Sequence, residues 1–223
     1  MKILPLLLMA PLAAHAVSFE AGVSSTNYGT QGDGTWYQQG MPHVLNTKTY
    51  GFSAGLTGGI VSRGSWGVDW HIDYANLGHV SSSCDCTPID ENYNTQTHSL
   101  VSNPVPVANA QFVGNGSAQG VAFTLEPWLK YRGVRFGIEG GLFPYRPAWD
   151  EVIYNWQGDL GAPRTITAST SHAWQLGYVV GVNVGRGPLT LGVKHYFLPT
   201  RFDSQHYPAI WKGATVLEVK YKF

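Results

Sequence analysis

The sequence has few charges, few cysteines and no second long apolar segment, and each shortage excludes a class of protein. Charged residues make up only 13% of the 223 residues, which is low for a soluble domain. Lys and Arg together number 14, as do Asp and Glu, so the formal net charge is zero and no nucleic-acid partner is predicted. Beyond residue 16 no apolar run has the length of a transmembrane helix, so only a closed β-barrel would let this chain span a membrane.

The first sixteen residues have the pattern of a secretory signal peptide. Lys2 supplies the positive region, residues 3–12 are the apolar region, and Ala14-His15-Ala16 is a small-x-small cleavage site. The apolar run is too short to cross a membrane. We therefore predict cleavage after Ala16, with a signal peptide at residues 1–16 and one barrel domain at residues 17–223.

Glycine and aromatic residues are abundant instead, and apolar residues recur with a period of two. The clearest example is residues 66–74, where Trp66, Trp70 and Tyr74 share one face and Asp69 and Asp73 share the other. Eight strands with this alternation are predicted, at residues 17–25, 50–60, 66–74, 121–131, 134–142, 174–184, 189–197 and 214–223. Pro127 cannot donate to a ladder, so we expect a bulge or a local loss of pairing there.

The connections between these strands alternate between long and short. Polar loops are predicted at residues 27–46, 79–117, 144–170 and 199–210, and tight turns near residues 62–65, 132–133 and 185–188. Aromatic residues, Trp211 among them, are expected in two belts, one at each membrane interface. A soluble eight-stranded barrel would have its apolar face inside, whereas here the charges share the glycine-rich face. The sequence therefore predicts an all-β, eight-stranded, antiparallel up-and-down transmembrane β-barrel.

The last strand ends on Tyr221, Lys222 and Phe223. A terminal Phe preceded by alternating apolar residues resembles the signal strand that barrel-assembly machinery reads, with Tyr221 and Phe223 as the signal. With the signal peptide and the eight strands, the whole mature chain resembles the small OmpA-like, OmpX-like and opacity-protein group of Gram-negative bacteria. That resemblance implies a monomer in the cell outer membrane, surrounded by membrane lipid and lipopolysaccharide.

The predicted inward face carries both acids and bases. Because an eight-stranded barrel is just wide enough for its side chains, charges inside it must be paired. We expect Lys194 to pair with Glu218, Lys220 with Glu20, and the acids of the fourth and fifth predicted strands with Arg135 or Lys130. A packed polar plug is the favoured interpretation, and an ion path is the alternative. The predicted network comprises Glu20, Asp69, His71, Asp73, Glu126, Lys130, Arg135, Glu139, Lys194, Glu218 and Lys220.

Two further features outside the lumen are candidate sites. Cys84 and Cys86 have a C-x-C spacing that is unusual for zinc, so a disulfide or free thiols are favoured and no metal site is predicted. His195 lies on the lipid-facing parity, which resembles the lipid A 3-O-deacylase barrels with their catalytic His on a late strand. In that family a nucleophilic Ser follows two residues later, but Phe197 stands here. No catalytic residue, cofactor or enzyme activity is therefore predicted.

The long loops are the remaining place for function, because binding residues are commonly carried on loops held by a rigid scaffold. We expect a structural or surface-interaction role, like that of an adhesin or receptor, with an extracellular protein or host-surface ligand as partner. A lipid A-modifying enzyme and a narrow ion channel are the alternatives.

Overall fold

The computed structural model of the chain describes residues 17–30, 43–86, 93–94, 99–100, 110–156, 163–199 and 211–223. The predicted signal peptide lies outside these residues. In the described part, no helix is long and apolar enough to cross a membrane.

All the regular structure described is β-strand. The strands are β1 (Ser18–Thr30), β2 (His43–Asn46), β3 (Lys48–Arg63), β4 (Trp66–Cys86), β5 (Tyr93–Asn94), β6 (Ser99–Leu100), β7 (Ala110–Tyr131), β8 (Val134–Trp156), β9 (Arg164–Ser171), β10 (Gln175–Arg186), β11 (Leu189–Phe197) and β12 (Trp211–Lys222).

Eight of these strands form a closed antiparallel ring. β1 pairs with both β3 and β12, so the two ends of the chain meet. β8 pairs with β7 on one side and with β10 on the other, which completes the ring β1-β3-β4-β7-β8-β10-β11-β12. The predicted eight-stranded up-and-down barrel is confirmed. Closure leaves the ring without a free edge, which is how a β-barrel pairs its backbone groups at membrane depth.

The two faces of the barrel have opposite character. Outward apolar side chains are exposed, for example Val23 at 69% and Ile138 at 66%, whereas the inward Glu139 and Lys194 are 2% and 3% exposed. In water this arrangement would be unfavourable, because apolar surface is exposed and charge is buried. In lipid it is the expected one, so the structure is that of a transmembrane barrel.

Three strands run much further than the alternation predicted. β4, β7 and β8 have 21, 22 and 23 residues, and the β4–β7 ladder continues as far as the pair Cys86–Ala110. The predicted loops at residues 79–117 and 144–170 are therefore wrong over much of their length. Outside the lipid a strand needs no apolar outward face, so polar residues such as Ser81 and Asn115 continue the ladder without the periodic signal of the membrane strands.

We call this upper part the strand extension; it comprises residues 79–86, 110–117 and 147–156, flanked by β2 on β4 and by β9 on β8. The opposite end carries the three tight turns and is called the turn end. The predicted loop at residues 27–46 is also partly strand, since β1 continues to Thr30 and β2 begins at His43. Its middle, residues 31–42, lies outside the described residues, as does most of the predicted loop at 199–210.

The ladder has several irregularities, and two of them lie at a proline and a glycine. Between β7 and β8 the pairs pass from Leu125–Gly140 to Trp128–Gly137, so pairing is lost locally around Pro127 without a change of register. This is the interruption expected from the missing amide hydrogen. In β4 the register shifts between Asn76 and His79, where Gly78 has φ of +84°.

Candidate functional site: a charged cavity beneath an aromatic plug

Two buried lysines organise the charged half of the lumen. Lys194 Nζ lies 2.9 Å from Glu139 and 3.2 Å from Glu218. Lys220 Nζ lies 2.8 Å from Glu20 and also bonds Asp73. Inward-facing positions of neighbouring strands bring these charges together. Each lysine therefore bridges two carboxylates that are far apart in the sequence.

Glycines make room for these long side chains. A Cβ on Gly181 would lie 2.8 Å from Lys194 Cγ, and a Cβ on Gly22 would lie 2.8 Å from Lys220 Cγ. Real Cβ atoms do not approach other atoms so closely, so each lysine stem occupies the space that a neighbouring side chain would need. The glycine-rich inward face is thus a packing requirement of the ion pairs.

Arg135 forms a second charged group closer to the turn end. Its guanidinium bonds Asp69 through Nη1 at 2.6 Å and bonds Glu126 through Nη2. Trp128 Nε1 donates to Asp69 at 3.1 Å, and its ring lies 4.9 Å beneath the guanidinium. The Trp128 contact was missed from the sequence, because Pro127 obscured the alternation of β7.

His71 and Asn183 join the two groups into one network. His71 Nδ1 lies 2.8 Å from Glu20, and Nε2 lies 3.3 Å from Glu126. Asn183 Nδ2 donates to Glu126 and to Glu139, at 2.9 Å in both cases. With one carboxylate neighbour near each ring nitrogen, His71 links the two charged groups. Asn183 thus donates hydrogen bonds to the two acids for which the sequence had predicted too few basic partners.

The buried acids outnumber the buried bases. A cavity of about 260 Å³ lies among them on the turn-end side, and Lys130 and Lys222 also line it. Lys130 is exposed close to a turn and lines the cavity from its inward-facing position, and its predicted part in the packed network stays a prediction. Seven carboxylates are buried in the described part of the chain; Glu151 belongs to the strand extension, and the six in the charged half of the lumen are those of Glu20, Asp69, Asp73, Glu126, Glu139 and Glu218.

One acidic group has the composition of a metal site. Glu20, His71 and Asp73 each offer a ligand atom, and these atoms lie within 4.8 Å of one another. Lys220 already bonds both carboxylates, and its ammonium supplies the positive charge that a metal would bring. The group is therefore an ion-pair cluster with Lys220 as its cation.

Aromatic residues fill the lumen beyond the charges. Along β8 the inward positions change from Arg135 and Glu139 near the turn to Tyr145 and Trp149 further along. Trp149 and Trp211 meet edge to face with ring centroids 5.4 Å apart. We call this layer the aromatic plug; it comprises Tyr28, Leu77, Phe143, Tyr145, Trp149, Tyr196, Leu198 and Trp211, all at most 3% exposed.

The sequence did not predict this plug. Tyr28, Tyr145 and Trp149 fell in predicted loops, and Trp211 was expected in an outer belt, where it does not lie. An aromatic residue near a membrane interface gives the same signal whether it faces lipid or lumen. Only the strand register assigns its face.

The last residue packs against the first strand. The ring of Phe223 lies 5.5 Å from Phe19 and 4.9 Å from Tyr221, and its amide donates to the Phe19 carbonyl at 2.9 Å. The predicted assembly signal therefore lies at the seam between β1 and β12. Recognition of Tyr221 and Phe223 by assembly machinery stays a prediction.

Two further sequence candidates lie outside the charged network. Cys84 is disulfide-bonded, while the side chain of Cys86 is outside the described part, so their pairing stays a prediction. His195 Nδ1 lies 3.0 Å from Thr215 Oγ1, its cross-strand partner on the lipid-facing side. The hydroxyl satisfies the imidazole in apolar surroundings. Among the described residues, no carboxylate lies within bonding distance of His195.

Neither a family model nor a curated protein matches the chain. Solved structures resemble it at low identity. Ail, the attachment invasion locus protein of Yersinia pestis, is 12% identical with a TM-score of 0.40, over 93% of this chain and 97% of that one. The outer membrane protease OmpT from Escherichia coli is 8% identical with a TM-score of 0.41, over 93% and 95%. A major outer membrane protein from Thermus thermophilus is 15% identical with a TM-score of 0.41, over 94% and 100%.

The closed ring, the exposed apolar belt and the charged lumen themselves give the chain the architecture of the small eight-stranded outer-membrane barrels.

Proposed function

We propose that this protein is an outer-membrane barrel whose strand extension binds a ligand outside the cell, while the barrel itself serves as a rigid anchor. The observation that supports the proposal is the length of the ladder in the strand extension. Its ladder continues without a break from the pair His79–Ser117 to the pair Cys86–Ala110. A structure of this length has no role in spanning the lipid, which needs strands of only about ten residues.

The extension has a packed interior of its own as well as length. Cys84, Phe112 and Ile153 form a separate buried cluster within it, between 0% and 4% exposed. β2 and β9 widen the sheet on its two sides. Pre-ordered surfaces lose little conformational entropy on binding, which favours recognition by the extension.

The narrow ion channel and the lipid A-modifying enzyme have less support. The aromatic plug lies across the lumen, which disfavours an ion channel. His195 has a hydroxyl partner in Thr215 but no acid among the described residues to orient it, so a nucleophilic mechanism lacks a component. We propose a binding role without catalysis.

The test is to shorten the extension while keeping the barrel. Ser81 and Asn115 are ladder partners, so replacing residues 82–114 with an Asn-Gly turn closes the hairpin at that pair. Cells that display the protein are then assayed on surfaces coated with matrix proteins and glycans. We expect binding by the full chain and none above background by the shortened one.

A matched control replaces only residues 87–109, beyond the last ladder pair, with the same Asn-Gly turn and leaves the described extension in place. Both variants must remain folded in the membrane, judged by their migration on unheated gels. Equal binding by the full chain and by the variant lacking residues 82–114 would contradict the proposal.

A further inference from the structure

The three tight turns of the barrel share one dipeptide, Arg-Gly. It occurs as Arg63-Gly64, Arg132-Gly133 and Arg186-Gly187. The glycines have φ of +59°, +81° and +61°, as hairpin turns of this length require. Turn geometry explains the glycines but not the arginines. Arg132 itself has φ of +49°, in a region where Asn, Asp or Gly is usual, so the backbone does not favour arginine there.

All three arginines are exposed and lie on the lipid-facing side of the barrel. Arg186 continues the outward row of β10 and pairs with the outward Leu189. Arg63 pairs in the same way with the outward Trp66.

The guanidinium of Arg132 lies 5.3 Å from the ring centroid of Tyr131, which is 65% exposed on the outer surface. The three cations thus lie on the outer circumference, just beyond the last lipid-facing side chains. Arginines at such positions reach the headgroup layer while their stems remain against apolar surface.

Among the exposed side chains at the turn end, charge has one sign. In the described chain the exposed acidic side chains are those of Asp85 and Asp150, and both lie in the strand extension. The other exposed cations at the turn end, Lys130 and Lys222, face inward and line the cavity with the buried acids. The buried acids of the lumen balance the positive charge of these two lysines, whereas the three arginines have no acidic neighbour among the described residues.

We propose that Arg63, Arg132 and Arg186 form a binding ring for anionic phospholipid headgroups in the leaflet at the turn end. The guanidinium fork matches phosphate oxygens, and three such groups around the circumference retain several lipids at once. The occupant is lipid because the arginines point out from the barrel wall towards surrounding membrane. Partners beneath the barrel would instead meet Lys130 and Lys222. This ring is independent of any ligand of the strand extension.

The test measures lipid selectivity of the full protein in phosphatidylcholine vesicles, using spin-labelled phosphatidylglycerol against spin-labelled phosphatidylcholine. We expect the unmodified protein to prefer phosphatidylglycerol. In the double variant Arg132→Gln/Arg186→Gln this preference should fall by about fivefold for each arginine, the usual contribution of one cation near an anionic surface.

The matched control is the double variant Lys130→Gln/Lys222→Gln, which removes the same charge from the same end but from inward-facing positions. It should keep the original preference to within about twofold. An equal loss in both double variants, or no preference in the unmodified protein, would overturn the proposal.

A final arm separates lipid from free anion. Inorganic phosphate should displace phosphatidylglycerol no better than chloride of equal ionic strength, because several headgroups are held at once on one surface. Stronger displacement by phosphate would show a site for the isolated ion and would overturn the lipid assignment.

Discussion

At the scale of single residues, buried lysine is the feature on which the charged lumen depends. Lys194 is 3% exposed and bonds Glu139 and Glu218, which are themselves buried. Replacing it with methionine keeps most of the volume but leaves two carboxylates without their cation. We predict that Lys194→Met lowers the free energy of unfolding by about 3–5 kcal/mol, the usual cost of breaking a buried pair. Urea unfolding in vesicles measures this.

The control for that variant is Lys212→Met, since Lys212 is exposed. It should change the free energy of unfolding by no more than about 0.5 kcal/mol. If the two variants were equally stable, the lumen would tolerate unpaired acids and the network would not be a structural requirement.

At the scale of the strand, close backbone approach explains where glycine is needed. On β8, a Cβ at Gly141 would lie 2.0 Å from the Phe123 carbonyl oxygen, whereas a Cβ at Gly140 would have nothing nearer than 3.8 Å. Gly141→Ala must therefore push β7 and β8 apart. We predict a loss of about 1–3 kcal/mol in the free energy of unfolding for Gly141→Ala.

The neighbouring variant Gly140→Ala has the same change of composition without the clash. It should be neutral or stabilising by up to about 1 kcal/mol, because alanine loses less backbone entropy on folding. Thermal unfolding of the two variants, measured side by side, compares their stabilities. An equal loss of stability in both would refute the steric explanation.

At the scale of the whole molecule, the lumen has two layers, and together they close it. The cavity of about 260 Å³ opens among the charges and ends beneath the aromatic plug. We predict that the protein shows no steady unit conductance in planar bilayers. Trp149→Ala combined with Trp211→Ala removes the two indoles that meet in the plug, and this variant should show intermittent openings. A stable conductance of the unmodified protein that changes with Glu126→Gln would contradict the closed lumen.

The sequence alone was enough to predict the barrel, because lipid demands an apolar outward face and a fully antiparallel closed ring needs an even number of strands. The alternation in residues 66–74 and 214–223 required no tertiary information, and the pairing of Lys194 with Glu218 required only the strand order. The tight turns were visible for the same local reason, since glycine must supply the positive φ.

Other features were decided only by the tertiary structure. Above the membrane both faces of a strand can be polar, so the strand extension left no periodic signal, and its length became visible only through ladder pairs such as Cys86–Ala110. Trp149 and Trp211 look the same in sequence whether they face lipid or lumen, and register placed them inside. Asn183 and His71 were joined to one network by strands distant in sequence. The local sequence pattern indicates which face of the sheet a residue occupies, but closure of the ring determines which side chains it contacts there.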